Sequence, residues 1–193
     1  QNDLIVYRPI STSDYGSGTF FMLLDNLTND DLKDVALVEQ ATTVGGVNLA
    51  AGSFLYSALN TLDGDVFHFT PTGFGLGTTT GSSTTLLDGS DIGMTAAVRG
   101  IEIVTADTSI GGVNLPAGTI VLSLAGDQSV GTNSLATMRY DAFSLSVSSA
   151  GTNTVATASL LFDGSDLNLD AVAEDPYPLA LVAPYTAPVI ANL

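Results

Sequence analysis

The residues best placed to do chemistry are aspartates set in glycine turns. Asp88-Gly89-Ser90-Asp91 recurs as Asp163-Gly164-Ser165-Asp166, and Asp63-Gly64-Asp65 is a shorter relative. Each longer copy sets two carboxylates and a hydroxyl around one tight loop. Calcium takes six to eight oxygens at about 2.4 Å, and alternating Asp on a short loop is one way to supply them. Asp88, Ser90, Asp91, Asp163, Ser165 and Asp166, with Asp63 and Asp65, are therefore candidate calcium ligands. The competing reading is a strand-ending turn, in which Asp accepts backbone amides and Gly takes positive φ. Neither loop has the further ligands and distal Glu of an EF-hand.

Among the 20 acids only Glu39, Glu102 and Glu174 are glutamates. Asp is favoured where a short carboxylate must reach its own turn backbone or wrap a hard cation. Asp30, Asp31 and Asp34 gather in the segment 29–38, the best helical candidate, where they would complement the helix dipole. His68 lies between Phe67 and Phe69 on an expected strand and so faces away from both. Its equivalents in the repeat alignment are Val6 and Arg139. No G-x-S-x-G elbow lies nearby, so His68 reads as a surface or half-buried strand residue. Paired carboxylates could serve a glycosidase, but there is no tryptophan for a sugar platform. No glycine-rich stretch follows a strand and opens a helix, which argues against nucleotide binding. The expectation is that this is not an enzyme.

Internal repetition shows what positions these loops. Gly45-Gly46-Val47-Asn48-Leu49 returns as Gly111-Gly112-Val113-Asn114-Leu115, 66 residues on. Leu87-Asp88-Gly89-Ser90-Asp91 returns as Phe162-Asp163-Gly164-Ser165-Asp166, 75 residues on. The difference is accounted for by an insertion near 144–154. A degraded copy opens the chain, with Leu23-Leu24-Asp25-Asn26 matching Leu86-Leu87-Asp88-Gly89 and Asp3 matching Asp65. The divisions read as a partial first repeat at 1–40, a second repeat at 41–104, a third at 105–182 and a C-terminal segment at 183–193. Within the second copy, short runs near 35–39, 53–57, 66–70 and 83–87 are rich in Val, Ile, Phe, Leu or Thr and bounded by turn residues. The fold class is all-β, with about three degenerate four-stranded antiparallel repeats arranged as propeller-like blades or as a β-sandwich.

Composition narrows the setting. The formal net charge is −16, and four Lys+Arg cannot answer many phosphates, which excludes nucleic acid and disfavours anionic membranes. Positive mean hydropathy (+0.37) argues against disorder. No apolar run approaches the roughly 18 residues of a membrane-spanning helix. There is no cysteine, hence no disulfide or thiolate chemistry. Heavy Ser, Thr and Gly usage with an acidic balance favours a secreted or cell-surface protein.

The phrases Leu86-Leu87-Asp88-Gly89-Ser90-Asp91 and Leu161-Phe162-Asp163-Gly164-Ser165-Asp166 resemble acidic repeats of large secreted bacterial proteins. The four-strand unit resembles a β-propeller blade. The resemblance implies an extracellular bacterial setting and carries no catalytic residue. The sequence starts with the last two strands of a copy, near Ile5 and Met22. It reaches first- and second-strand positions again at 179–182 and 188–190. Strand complementation between 179–190 of one subunit and 5–24 of the next would give head-to-tail self-assembly with calcium-stabilised loops, as a filament, sheath or surface matrix. The expected partners are copies of the chain itself. The alternative from another class is a lectin-like or adhesin module that takes a glycan at its loops.

Overall fold

The computed structural model describes residues 3–11, 13–27, 31–59, 64–77, 79–169 and 179–180. Asp30, Asp63 and the complementing segment 181–193 lie outside them. The protein is all-β. It opens with a hairpin of β1 (Leu4–Ser11) and β2 (Asp14–Leu24), followed by two full units. The first unit holds β3 (Leu32–Leu37), β4 (Thr42–Val44), β5 (Val47–Leu49), β6 (Phe54–Ala58), β7 (Val66–Gly73) and β8 (Thr80–Leu87). It closes on a 3₁₀ turn, Gly89–Ile92. The second holds β9 (Val98–Ile103), β10 (Thr108–Ile110), β11 (Val113–Leu115), β12 (Ile120–Leu124), β13 (Gln128–Val130), β14 (Leu135–Thr137), β15 (Ala142–Ser149) and β16 (Val155–Phe162). Its 3₁₀ turn is Gly164–Leu167.

Each unit builds one antiparallel sheet in meander order, β3-β6-β7-β8 and β9-β12-β15-β16, with a small hairpin inserted after the first strand. That hairpin is the Gly-Gly motif. In β4-β5 the pair Val44 and Val47 encloses Gly45 and Gly46, both with positive φ. Two consecutive left-handed residues make the turn that suits the twist of paired strands.

The register fixes the equivalences. Val66 pairs with Leu87, Ala142 with Phe162 and Leu4 with Leu24, each followed by a bulge. The hairpin β1-β2 is thus the last two strands of a unit. The register also moves three sequence-based boundaries. The insertion falls within 125–141 and forms the β13-β14 hairpin; the segment near 144–154 is instead largely β15 and its turn. Ser144, which faces Val121 and Ser159 as His68 faces Leu55 and Thr84, therefore replaces Arg139 as the equivalent of His68. The sheets also take their first strands, β3 and β9, from before residues 41 and 105. The helical candidate at 29–38 is a strand where it is described: residues 32–37 are β3, paired with β6. Val35 packs in one cluster and Ala36 in another, so the two faces of a strand are both buried.

The layers stack with unlike faces in contact. Ala36, Val38, Leu49, Leu55 and Leu86 of the first unit share the main core with Ile101, Ile120, Leu122, Phe143 and Leu145 of the second. Fully burying each of these side chains other than Ala36 contributes about 1.5–3 kcal/mol. The opposite face of the first sheet, through Phe54, Tyr56 and Phe69, is covered by Leu4, Leu23 and Leu24 of the hairpin. Those three occupy the places of Val66, Leu86 and Leu87, which meet the second unit. Each layer's following face therefore covers the leading face of the next. Among the described residues no helix is long and apolar enough to cross a membrane.

Candidate functional site

The first Asp-Gly-Ser-Asp loop lies where one full unit meets the next, and the second closes the second unit at its outer end. In the first unit Asp88 caps the 3₁₀ turn, its Oδ1 accepting from the Ser90 N–H at 3.2 Å and from Ser90 Oγ at 2.7 Å. Asp163 does the same for Ser165 at 2.9 and 2.6 Å. Asp65 Oδ1 accepts from the Gly89 N–H at 2.8 Å, and Asp141 Oδ1 from the Gly164 N–H at 3.1 Å. Asp3 Oδ1 repeats the pattern with the Asn26 N–H at 3.0 Å. Burial pushes the Asp65 carboxyl above its usual range, the Gly89 amide opposes this, and the charges of Asp88 and Asp91 add to it.

This is capping and turn chemistry. The structure brings Asp65, Asp88, Ser90 and Asp91 together, and Asp163, Ser165 and Asp166 together, but with the carboxylates of Asp65, Asp88, Asp91 and Asp163 turned onto amides and hydroxyls. Among the described residues, no group of three or more acidic or His side chains is arranged to hold a metal.

The loops also tie layers to each other, through residues that the sequence motifs did not mark. The Asp88 N–H donates to Thr154 Oγ1 at 2.8 Å, and the Thr154 N–H donates to Asp91 Oδ2 at 2.8 Å. One layer earlier, the Asp25 N–H donates to Thr79 Oγ1 at 2.7 Å, and the Gly77 N–H donates to Asp25 Oδ2. Thr79 and Thr154 are 75 residues apart, the same spacing as the Asp loops, and that was the available signal. Asp34 makes a third tie: its Oδ2 accepts from the Ile101 N–H of β9 at 2.7 Å. Its carboxylate also takes the Leu179 N–H, and burial raises its pKa against these amides.

His68 is buried on the face of β7 that meets the second unit, and its Nε2 has no hydrogen-bond partner among the described residues. Burial lowers its pKa. It is more deeply enclosed than the expected surface or half-buried strand position.

Two outer faces remain. On the hairpin, Ile5 is 56% and Phe20 72% exposed, with the Phe20 ring 4.9 Å from Tyr7. The register places Ile5 where the second unit has Phe143, exposed by only 1%, and Tyr7 where it has Leu145, wholly buried. The outer edge of β1 pairs with no strand among the described residues, whereas β7 and β15 pair on both sides. At the other end, Val104, Leu115 and Val121 form a small cluster with Leu161 and Leu179. Beside it a groove runs between Val113 and Leu115 of β11 and Ser144, Ser146 and Ser159 of the sheet.

The chain matches no protein-family model, no curated protein and no solved structure.

Proposed function

We propose that the chain is an extracellular structural module that assembles head to tail, the following face of one copy stacking on the hairpin of the next. The observation that carries this reading is the leading face of β1-β2. It is built for a cover that its equivalents in both full units receive, and β1 keeps an open strand edge. Chain from 179–190 of a neighbouring copy would supply the two strands beside β1. Leu179 already lies against Gly100 and near Asp34, at the position a further first strand would take. An open edge of this kind is a template for pairing, and unlike faces meeting head to tail give a ring or a filament. Calcium belongs to the proposal at Asp163, Ser165 and Asp166, where it would stiffen the exposed loop. The acidic, cysteine-free composition supports the extracellular setting and the absence of enzymatic chemistry.

Light scattering across protein concentration tests this, with millimolar calcium and then with chelator. Growing species are expected, and Phe20→Asp, at an exposed position, should abolish growth without lowering the melting temperature. Growth that survives chelator removes calcium from the proposal and leaves stacking. A monomer at every concentration defeats the assembly reading and favours a loop-borne glycan-binding module, to be tested with a sugar panel.

A further inference from the structure

We infer that the outer edge of β8 is a second contact between copies of this chain, in which β8 of one copy pairs antiparallel with β8 of another about a two-fold axis at Ser82. This contact is lateral and does not depend on the head-to-tail reading. The register shows which backbone groups the edge offers. Pro71 pairs with Gly81 across β7-β8, and Phe69 pairs with Ser83. Proline has no N–H, so Pro71 and Gly81 cannot exchange two hydrogen bonds, and theirs is a non-hydrogen-bonded pair. The N–H and C=O of Gly81, and of Ser83 two residues on, therefore point outward.

In the second unit the same outward groups are covered. Ala156 and Ala158, which pair with Val147 and Leu145, stand at the places of Gly81 and Ser83. The Ala156 carbonyl accepts the Thr132 N–H at 2.9 Å. Asn133 completes the cover: its Oδ1 accepts the Ala158 N–H at 3.0 Å, and its Nδ2 donates to the Ala158 carbonyl at 2.9 Å. Residues 132–133 belong to the inserted β13-β14 hairpin, whereas the first unit joins β6 to β7 with 59–65 alone. The first-strand edges are guarded by carboxylates. Asp34 takes the Val35 N–H of β3, and the Ile101 and Ile103 N–H groups of β9 go to Asp34 Oδ2 at 2.7 Å and Glu102 Oε1 at 2.9 Å. Neither kind of cover reaches β8, whose residues 80–84 are all exposed and have no edge partner among the described residues.

Charge and symmetry identify the occupant as a second copy. The chain carries a net charge of −16, so copies meet most easily where no carboxylate lies, and residues 66–87 contain no Asp, Glu, Lys or Arg. Exposed edges are ordinarily kept apart by charges or proline, and β8 has neither. At its inner end the edge stops at Gly151, whose N–H donates to the Leu86 carbonyl at 2.8 Å. The open stretch is therefore centred on Ser82. In the pair, Gly81 of each copy exchanges N–H and C=O bonds with Ser83 of the other. Ser82 faces its own equivalent and Thr80 faces Thr84, hydroxyl pairs of the kind favoured across strands. The axis is normal to the sheet, so both copies keep their leading hairpins on the same side and both stacking faces stay free.

The test uses the full chain carrying Phe20→Asp, which blocks stacking, so that any pair seen is lateral. Sedimentation should show a monomer–dimer equilibrium in place of growing species. Adding Ser83→Pro removes an outward N–H and no ladder bond, and should weaken the dimer about thirty-fold, as for two symmetric hydrogen bonds. A thermal melt checks its fold, since the bond between Ser83 Oγ and the Tyr56 hydroxyl is kept only by serine. Ser82→Cys gives a reading that does not depend on stability. The chain has no cysteine, and a non-hydrogen-bonded pair holds its Cα atoms about 4.5 Å apart, within disulfide reach. Mild oxidation should link Ser82→Cys into a covalent dimer but not Thr157→Cys, its equivalent on the covered edge. A Phe20→Asp chain that stays monomeric, or a dimer indifferent to Ser83→Pro and cross-linked no faster at 82 than at 157, overturns this contact and leaves the head-to-tail reading untouched. Wild type that stops at a dimer sensitive to Ser83→Pro keeps this contact and refutes stacking.

Discussion

Replacing Thr154 by valine removes one oxygen from the seam between the two full units and leaves shape almost unchanged. That oxygen accepts from the Asp88 N–H and donates to the Gly151 carbonyl, both at 2.8 Å. Thr154 is 3% exposed, so water is poorly placed to substitute. An orphaned buried amide costs about 1–3 kcal/mol and the lost carbonyl bond about 1 kcal/mol more. The added methyl returns about 0.8 kcal/mol. The net expectation is a loss of about 2 kcal/mol, or roughly 4–8 °C in melting temperature for a chain of this size. Thr154→Ser keeps both bonds and gives up one buried methyl, so it should cost about 1 kcal/mol. Thermal melts and urea titrations of the two variants decide the matter. Valine equal to wild type, or serine worse than valine, would show that the hydroxyl does not hold the seam.

Two other perturbations probe the same architecture. Gly112→Ala and Gly118→Ala both place a side chain at positive φ, +85° and +88°, but only Gly118 has a neighbour, Thr43 O, in the way. Urea denaturation should show about 1 kcal/mol lost at Gly112 and at least about 3 kcal/mol at Gly118; equal losses would mean that the seam yields easily. His68, depressed by burial below its ordinary value of 6.5, takes up its proton more readily in the unfolded chain. The stability held by the neutral imidazole is complete above pH 6.5 and is lost as pH falls through the lower folded value. Asp34 and Asp65, raised by burial, run the other way: they favour the fold below about pH 3.8 and lose that contribution as pH rises through their folded values. His68→Phe should therefore flatten the difference in melting temperature between pH 7.5 and 5; an unchanged slope would remove His68 as its source.

Much of the fold was readable because its turns are chemically marked. Gly45-Gly46 and Gly111-Gly112 announce hairpins, and the Asp88 and Asp163 phrases announce capped turns, so the unit and its copy number follow from spacing. The errors fall between such marks. Ser144, Ser146, Ser148 and Ser149 look like a loop, yet Phe143, Leu145 and Val147 alternate with serine as a strand requires, and β15 is the result. The insertion within 125–141 was misplaced because no repeated phrase lies between Gly118 and Phe162. Asp31 and Asp34 read as helix-start charges, whereas Asp34 faces the Ile101 amide across a layer boundary. That contact is 67 residues distant in sequence, beyond any local pattern. The ties at Thr79 and Thr154 leave only their 75-residue spacing as a signal, and that spacing does not name the Asp partner of either.

The β13-β14 hairpin has a consequence for how the molecule comes apart. In a linear array, stability is close to a sum of unit terms and nearest-neighbour terms. This hairpin belongs to the second unit but grips the exit of the first. The Gly131 N–H donates to the Ile92 carbonyl at 2.8 Å, and Gln128 Oε1 accepts the Thr95 amide at 2.9 Å and the Ala96 amide at 3.3 Å. Val130 is wholly buried in the shared core. The neighbour term between the full units is thereby enlarged, and among the described residues nothing comparable clasps β1-β2. Cooperative opening should then be graded: the amides of the leading hairpin exchange with solvent first, and the two full units exchange together, as a single foldon, only on global unfolding.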